Sequence, residues 1–219
     1  MIETEPVHRI ARLAGVILLS DCAGSRVTDE HDQAVGTLAD VTATLDESTP
    51  IVNGLVVRVH HRQVVVPFSE VLRFERHHVQ IRELPIHERP SSESLWLRRD
   101  VYDGQVVDLR HHRLVRVGDV EFGRSAEGLR VTAVHLGLTA VMHRLGLLLP
   151  HTAKVDRLPW GDLHLATPRG HRLQLRSPAS AVHGLCAEEL ERLAARLPRH
   201  RADEIRDCIV ELRAGRLTA

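Results

Sequence analysis

Three aspartates recur at a fixed interval. Asp21, Asp29 and Asp40 are matched 79 residues later by Asp100, Asp108 and Asp119. Grouped carboxylates are what a hard divalent cation requires, because Mg²⁺ and Mn²⁺ favour oxygen ligands. Asp40 and Asp119 are therefore candidate metal ligands. Glu188 and Glu189, with Glu191 on the same predicted helix, form a second candidate acidic group. The competing role is structural, since aspartate also caps turns and satisfies backbone N–H groups at a bulge. Matched positions in both copies favour the structural role for the recurring aspartates, and a solvated face opposite Arg192 and Arg196 accounts for the glutamates.

Histidine offers other chemistry. The chain has 16, with adjacent pairs at His60-His61, His77-His78 and His111-His112. Such pairs could bind a transition metal or respond to pH. Each falls in a predicted turn or strand end, where neighbouring side chains diverge, so solvated loop histidines are expected. No G-x-S-x-G elbow, H-E-x-x-H helix or phosphate loop occurs. The sequence therefore predicts no catalytic residues, no enzyme activity and no cofactor.

Composition narrows the partners. There are 29 basic and 29 acidic residues, so no net field draws the chain toward nucleic acid or an anionic membrane. Lys154 is the only lysine among the basic residues, and the aromatics are 3% of the chain. Small cores of Val, Leu and Ile are the expectation. Cys22, Cys186 and Cys208 are an odd set without C-x-x-C spacing, which predicts free thiols in a reducing, cytoplasmic setting. The longest apolar runs fall far short of the ~20 residues that cross a bilayer, so no membrane insertion and no signal peptide are expected.

The carboxylates need elements to hold them. Val35–Val41 reads as a strand in which Leu38 and Asp40 share one face while Val35 and Val41 share the other. An apolar set that changes face mid-strand predicts a β-bulge near Ala39-Asp40. Leu114–Val120 repeats the slip, as a strongly bent strand shared by two small barrels would. Further strands are expected at 16–19, 26–29, 51–59 and 64–66, with a helical turn at 68–71 and edge strands near 72–74 and 79–81. The repeat runs without a gap from Val16–Val57 to Leu95–Leu136. Val66-Pro67-Phe68 then matches Leu158-Pro159-Trp160, 92 residues on, which places a 13-residue insertion in the second copy.

Within the insertion, Leu138, Val141, Met142 and Leu145 recur at helical spacing, predicting an amphipathic helix about 138–146. A short helix is also expected at 7–14. Near the C-terminus, Leu190, Leu193 and Leu197 form one stripe, and Ile205 and Ile209 belong to a second. These two helices are too small to form a core alone and must pack on the barrel, a partner or a second copy. Together with the inserted helix they are the predicted interaction surface. The organisation read from the sequence is an N-terminal segment 1–14, a barrel 15–83, a linker 84–94, a second barrel 95–176 and a helical tail 177–219. The fold class is mainly β, with two tandem small barrels and a C-terminal helical pair.

The repeat unit resembles the PRC-barrel, a small β-barrel module of the photosynthetic reaction-centre H subunit and of a ribosome maturation factor. The resemblance rests on Gly24–Val41, Gly54-Leu55-Val56-Val57 and Val66–Val71. In the second copy it rests on Gln105–Asp108, Arg116–Val120 and Leu158-Pro159-Trp160. The tail, from Leu185-Cys186-Ala187-Glu188-Glu189-Leu190 to Ala202-Asp203-Glu204-Ile205, resembles the opening helices of the intracellular domain of MgtE-type magnesium transporters. Together they look like an actinobacterial, magnesium-transporter-related protein type. The resemblance implies a cytoplasmic adaptor that contacts a cation transporter or a second copy of itself. It also admits a Mg²⁺ or Mn²⁺ sensor, or an RNA or ribosome assembly module. The balanced charge and scarce aromatics weigh against nucleic acid.

Overall fold

A computed structural model describes residues 16–84, 93–126, 128–137 and 156–213. The first copy runs β1 (Ile17–Leu18), α1 (Leu19–Cys22), β2 (Arg26–Thr28), β3 (Ala34–Thr44), β4 (Ile51–Val59), β5 (Arg62–Pro67), a 3₁₀ turn Phe68–Glu70, β6 (Val71–Glu75) and β7 (His78–Ile81). The second runs β8 (Leu95–Trp96), a π-type turn Leu97–Val101, β9 (Gln105–Asp108), β10 (Arg113–Ser125), β11 (Gly128–Leu136), β12 (Asp156–Pro159), a 3₁₀ turn Trp160–Asp162 and β13 (Leu163–Leu165). Then come α2 (Pro168–Arg176), a 3₁₀ turn Ala181–Gly184, α3 (Ala187–Ala194) and α4 (Arg199–Arg213). The protein is mainly β. The predicted helices at 7–14 and 138–146, and most of the 84–94 linker, lie outside the described residues.

The bent strand is where the sequence places it. In β3 the pairing with β4 shifts between Leu38 and Asp40, and again between Thr42 and Ala43. In β10 the pairing with β11 shifts at the positions 79 residues on, between Val117 and Asp119 and between Glu121 and Phe122. Each long strand thus bends twice at matched residues, and each first bend turns an aspartate inward.

The strand order differs from two side-by-side barrels. The main path is β13-β9-β10-β11-β4-β3-β2-β7-β6, and its two end strands do not pair with each other. The copies exchange their first strands: β1 pairs with β10 of the second copy, and β8 pairs with β3 of the first. A further link joins Arg130 of β11 to Ile51 of β4. One hydrophobic core consequently runs through both copies, from Leu19, Val27 and Leu55 to Val106, Phe122 and Leu165, all at most 2% exposed. Phe74 and Phe122 meet edge to face across it, with ring centres 5.9 Å apart. Cys22 is sealed in this core, and burial pushes its thiol up to about 12, so it behaves as a small hydrophobe rather than a nucleophile.

The close approach of β3 to β4 depends on Gly36. A Cβ there would lie 2.5 Å from the Arg58 carbonyl oxygen and 2.8 Å from a Val57 methyl. Since backbone cannot yield as a side-chain tip can, Gly36→Ala is expected to lower the unfolding free energy by about 2 kcal/mol. Urea titration of the full chain measures this.

Helix α2 carries no apolar stripe. The residues it buries are Gly170, His171 and Gln174. Gln174 holds it to the sheet: its Oε1 accepts the Leu165 N–H at 2.6 Å, and its Nε2 donates to the Leu163 carbonyl at 3.4 Å. α3 and α4 then pack on each other and on Val107, Ala166 and Val182, forming a second cluster.

Candidate functional site

The bulged strands deliver Asp40 and Asp119 to equivalent places at the two exchange points. Asp40 Oδ1 accepts the N–H groups of Arg98 and Val41, each at 2.7 Å, and its Oδ2 accepts that of Arg99 at 3.1 Å. Asp119 Oδ1 accepts the N–H groups of Ser20 at 3.1 Å and Val120 at 2.8 Å, and its Oδ2 accepts the Ser20 hydroxyl. Each carboxylate caps the helical turn contributed by the other copy, and Ser20 and Arg99 are themselves 79 residues apart. Both side chains are buried. Burial pushes Asp40 up to about 6, against the pull of three N–H donors, and also raises Asp119, against the Ser20 hydroxyl.

The outer aspartates follow the same twofold logic. Asp21 lies 3.2 Å from Nε of Arg76, whose Nη2 donates to the Val16 carbonyl at 2.8 Å. Asp100 lies 3.3 Å from Nε of Arg169, whose Nη2 donates to the Ser94 carbonyl at 2.8 Å. Asp100 also accepts the Trp96 N–H at 3.0 Å and two bonds from Arg99, whose guanidinium sits 4.3 Å over the Trp96 ring. Asp29 accepts the N–H groups of His31 and Gln33, and Asp108 those of Arg110 and His111. Five of these six aspartates accept backbone N–H groups, and Asp21, Asp100 and Asp108 face arginine guanidinium groups.

The remaining candidates separate. Glu189 accepts the Cys186 N–H at 2.9 Å and caps α3, while Glu188 is exposed. Leu190, Leu193, Leu197, Ile205 and Ile209 are at most 8% exposed. These five side chains, expected on an interaction surface, are buried against one another and against Val107, Ala166 and Val182. Leu138, Val141, Met142 and Leu145 lie outside the described residues. His60, His77 and His112 occupy left-handed turn positions, and among the described residues no group of three or more His, Cys, Asp or Glu side chains could hold a metal.

Two clusters escaped the sequence reading. In the second copy, Glu121 accepts Thr132 Oγ1 at 2.6 Å, meets His135 Nε2 at 3.0 Å, and takes Arg157 Nη2 at 2.7 Å and Nε at 2.9 Å. Burial would raise Glu121, but bonds from Arg157, Thr132 and His135 overcome it and hold the carboxyl at about 2. The same offsets of 79 and 92 map these four residues onto Thr42, Asn53, Val56 and Val65. There Thr42 Oγ1 donates to Asn53 Oδ1 at 2.7 Å, while Val56 and Val65 pack with Ala39 and Trp96. Where one copy is apolar, the other is ionic; comparing the aligned copies position by position would have found it.

The second cluster is a pair of buried rings set edge to face, with centres 4.9 Å apart. His164 of β13 and His171 of α2 meet through Nε2 and Nδ1 at 2.7 Å, at 1% and 0% exposure. His171 Nε2 stands 3.3 Å from Glu204 of α4. Burial is the first cause that lowers both, His164 to about 3 and His171 to about 4.

No family model matches this chain, and no curated protein sequence matches it. No helix among the described residues is long and apolar enough to cross a membrane.

Proposed function

We propose that this chain is a non-enzymatic regulatory module of the PRC-barrel type that acts by protein–protein contact in divalent-cation transport. The observation that supports it is the reciprocal capping by Asp40 and Asp119. The carboxylates best placed to take a cation hold backbone N–H groups instead, which favours a scaffold over a sensor. Locking two related copies together gives a stiff body whose corresponding faces differ in chemistry, apolar around Trp96 and ionic around Glu121. The partner is the intracellular domain of an MgtE-type transporter or a second copy of the chain.

The test pairs two measurements on the full chain. Sedimentation velocity at tens of micromolar, with and without such a transporter domain, is expected to give a complex at micromolar affinity, typical of regulatory contacts. A strict monomer that binds no transporter domain overturns the adaptor reading. Calorimetric titration with Mg²⁺ and Mn²⁺ is expected to be silent, and saturable heat would replace the scaffold with a sensor.

A further inference from the structure

The two buried histidines lie where the sheet, α2 and the tail helix meet. His164 comes from β13, His171 from α2 and Glu204 from α4, so the chain of contacts crosses all three elements. Charged and titratable neighbours of the rings are Glu204, Arg201 and His200 from α4, and His183 from the turn at 181–184. His183 Nε2 is itself bound to the Leu175 carbonyl at 3.0 Å.

We propose that the His164–His171 pair is a proton-sensitive latch that keeps α4 docked while both rings are neutral and releases it when they gain protons. The geometry supplies the reason. With one ring nitrogen facing another at 2.7 Å, a single proton serves the contact, and among the described residues His164 Nδ1 and His171 Nε2 are both buried without a hydrogen-bond partner, Glu204 standing 3.3 Å from the latter. In the neutral pair, His171 can donate through Nε2 toward Glu204 and accept through Nδ1 from His164 Nε2. A first added proton must either sit on the sealed His164 Nδ1 or turn the contact around, leaving a buried cation. A second puts like charges in contact with no water between them. Arg201 adds positive charge nearby, and among the described residues Glu204 opposes it. Lifting α4 away opens the rings to water and removes the conflict.

The sign follows from the direction of the shifts. Both rings titrate below the ordinary histidine value of 6.5 when docked. Docking strength is therefore complete above about 6.5 and falls as pH drops toward 4. If release exposes both rings, linkage makes docking roughly fifteenfold weaker at pH 6 than at pH 8.

Hydrogen exchange on the full chain reads this helix by helix. Protection factors for α4, corrected for intrinsic exchange, should fall about tenfold or more from pH 8 to pH 6. In His164→Leu with His171→Leu, α4 protection should become independent of pH over that range. Unchanged α4 protection in the wild type, or an equal fall in the double variant, overturns the latch. Ring NMR of the wild type needs no variant: signals that stay neutral while α4 is docked support the latch. Titration near 6.5 with α4 still protected overturns it.

Discussion

Asp119→Ala should unfold this protein more easily by roughly 3 kcal/mol, although Asp119 touches no ligand. The substitution leaves the Ser20 and Val120 N–H groups and the Ser20 hydroxyl without their acceptor in a buried setting. Each buried, unsatisfied polar group costs about 1–3 kcal/mol, and water reaching the half-buried Ser20 keeps each of the three near the lower end of that range. Asp40→Ala should cost a similar amount, since it strands the N–H groups of Arg98, Arg99 and Val41. For a chain of this size roughly 3 kcal/mol corresponds to a drop in Tm of about 10 °C. Asparagine keeps one acceptor oxygen and points an amide at the remaining donor, so Asp40→Asn should lose only about 1 kcal/mol at pH 7. Thermal melts with and without Mg²⁺ separate capping from metal binding. The cation should shift neither wild type nor variant; a shift seen only in the wild type would make Asp119 a ligand after all.

The pH profile carries a further signature of these two sites. Burial lifts Asp40 to about 6, above the usual 3.8. The folded state then keeps a proton that the unfolded chain has released, so this contribution is complete below about 3.8 and is lost as pH rises through about 6. The histidine pair does the reverse, gaining as pH rises from 4 to 6.5. The two contributions oppose each other across one window. Two histidines outweigh one carboxyl, so wild-type stability should fall as pH drops from 6.5 to 4, and Asp40→Asn should fall more steeply.

The bends of β3 and β10 were legible because a face change within an apolar strand has few causes, and both copies show it at the same residues. The exchange of first strands was not. When two copies share a pattern, β1 pairs equally well, as far as side-chain type goes, with β3 or with β10, so periodicity cannot say which copy receives it. What decides is the junction: Ser20 offers an N–H and a hydroxyl to Asp119, a long-range choice invisible in local pattern. α2 was missed because its buried face is Gly170, His171 and Gln174, which no search for apolar spacing detects. Thr167 followed by Pro168 was the available start signal. For α3 and α4 the stripes were legible but their destination was not, since an apolar face states what it avoids and not which surface covers it.

Glu121→Thr, the change that converts the second copy's ionic cluster toward the first copy's Thr42, should cost about 3 kcal/mol by itself. It removes the carboxylate that pairs with both Arg157 and His135, and breaking a buried pair from one side leaves the other charge exposed to a poor dielectric. The half-exposed Arg157 can turn to water, which keeps the loss at the lower end of the range for such deletions. Adding His135→Val and Arg157→Val rebuilds the trio found at Thr42, Val56 and Val65. The triple variant should recover to within about 1 kcal/mol of the wild type, because a matched apolar set replaces an ion cluster at little net cost. Recovery should stop short of complete, since Trp96 covers the first copy's valines and its counterpart, Ile17, is smaller. Acid separates the variants further. Glu121 is held at about 2, below its usual 4.5, so its stabilisation is present above 4.5 and disappears as pH falls through 2. The gap in urea midpoint between wild type and Glu121→Thr should therefore narrow from pH 7 to pH 3 without closing. A triple variant as unstable as the single one would mean that the ionic set specifies the bend of β10 rather than merely filling the space beside it.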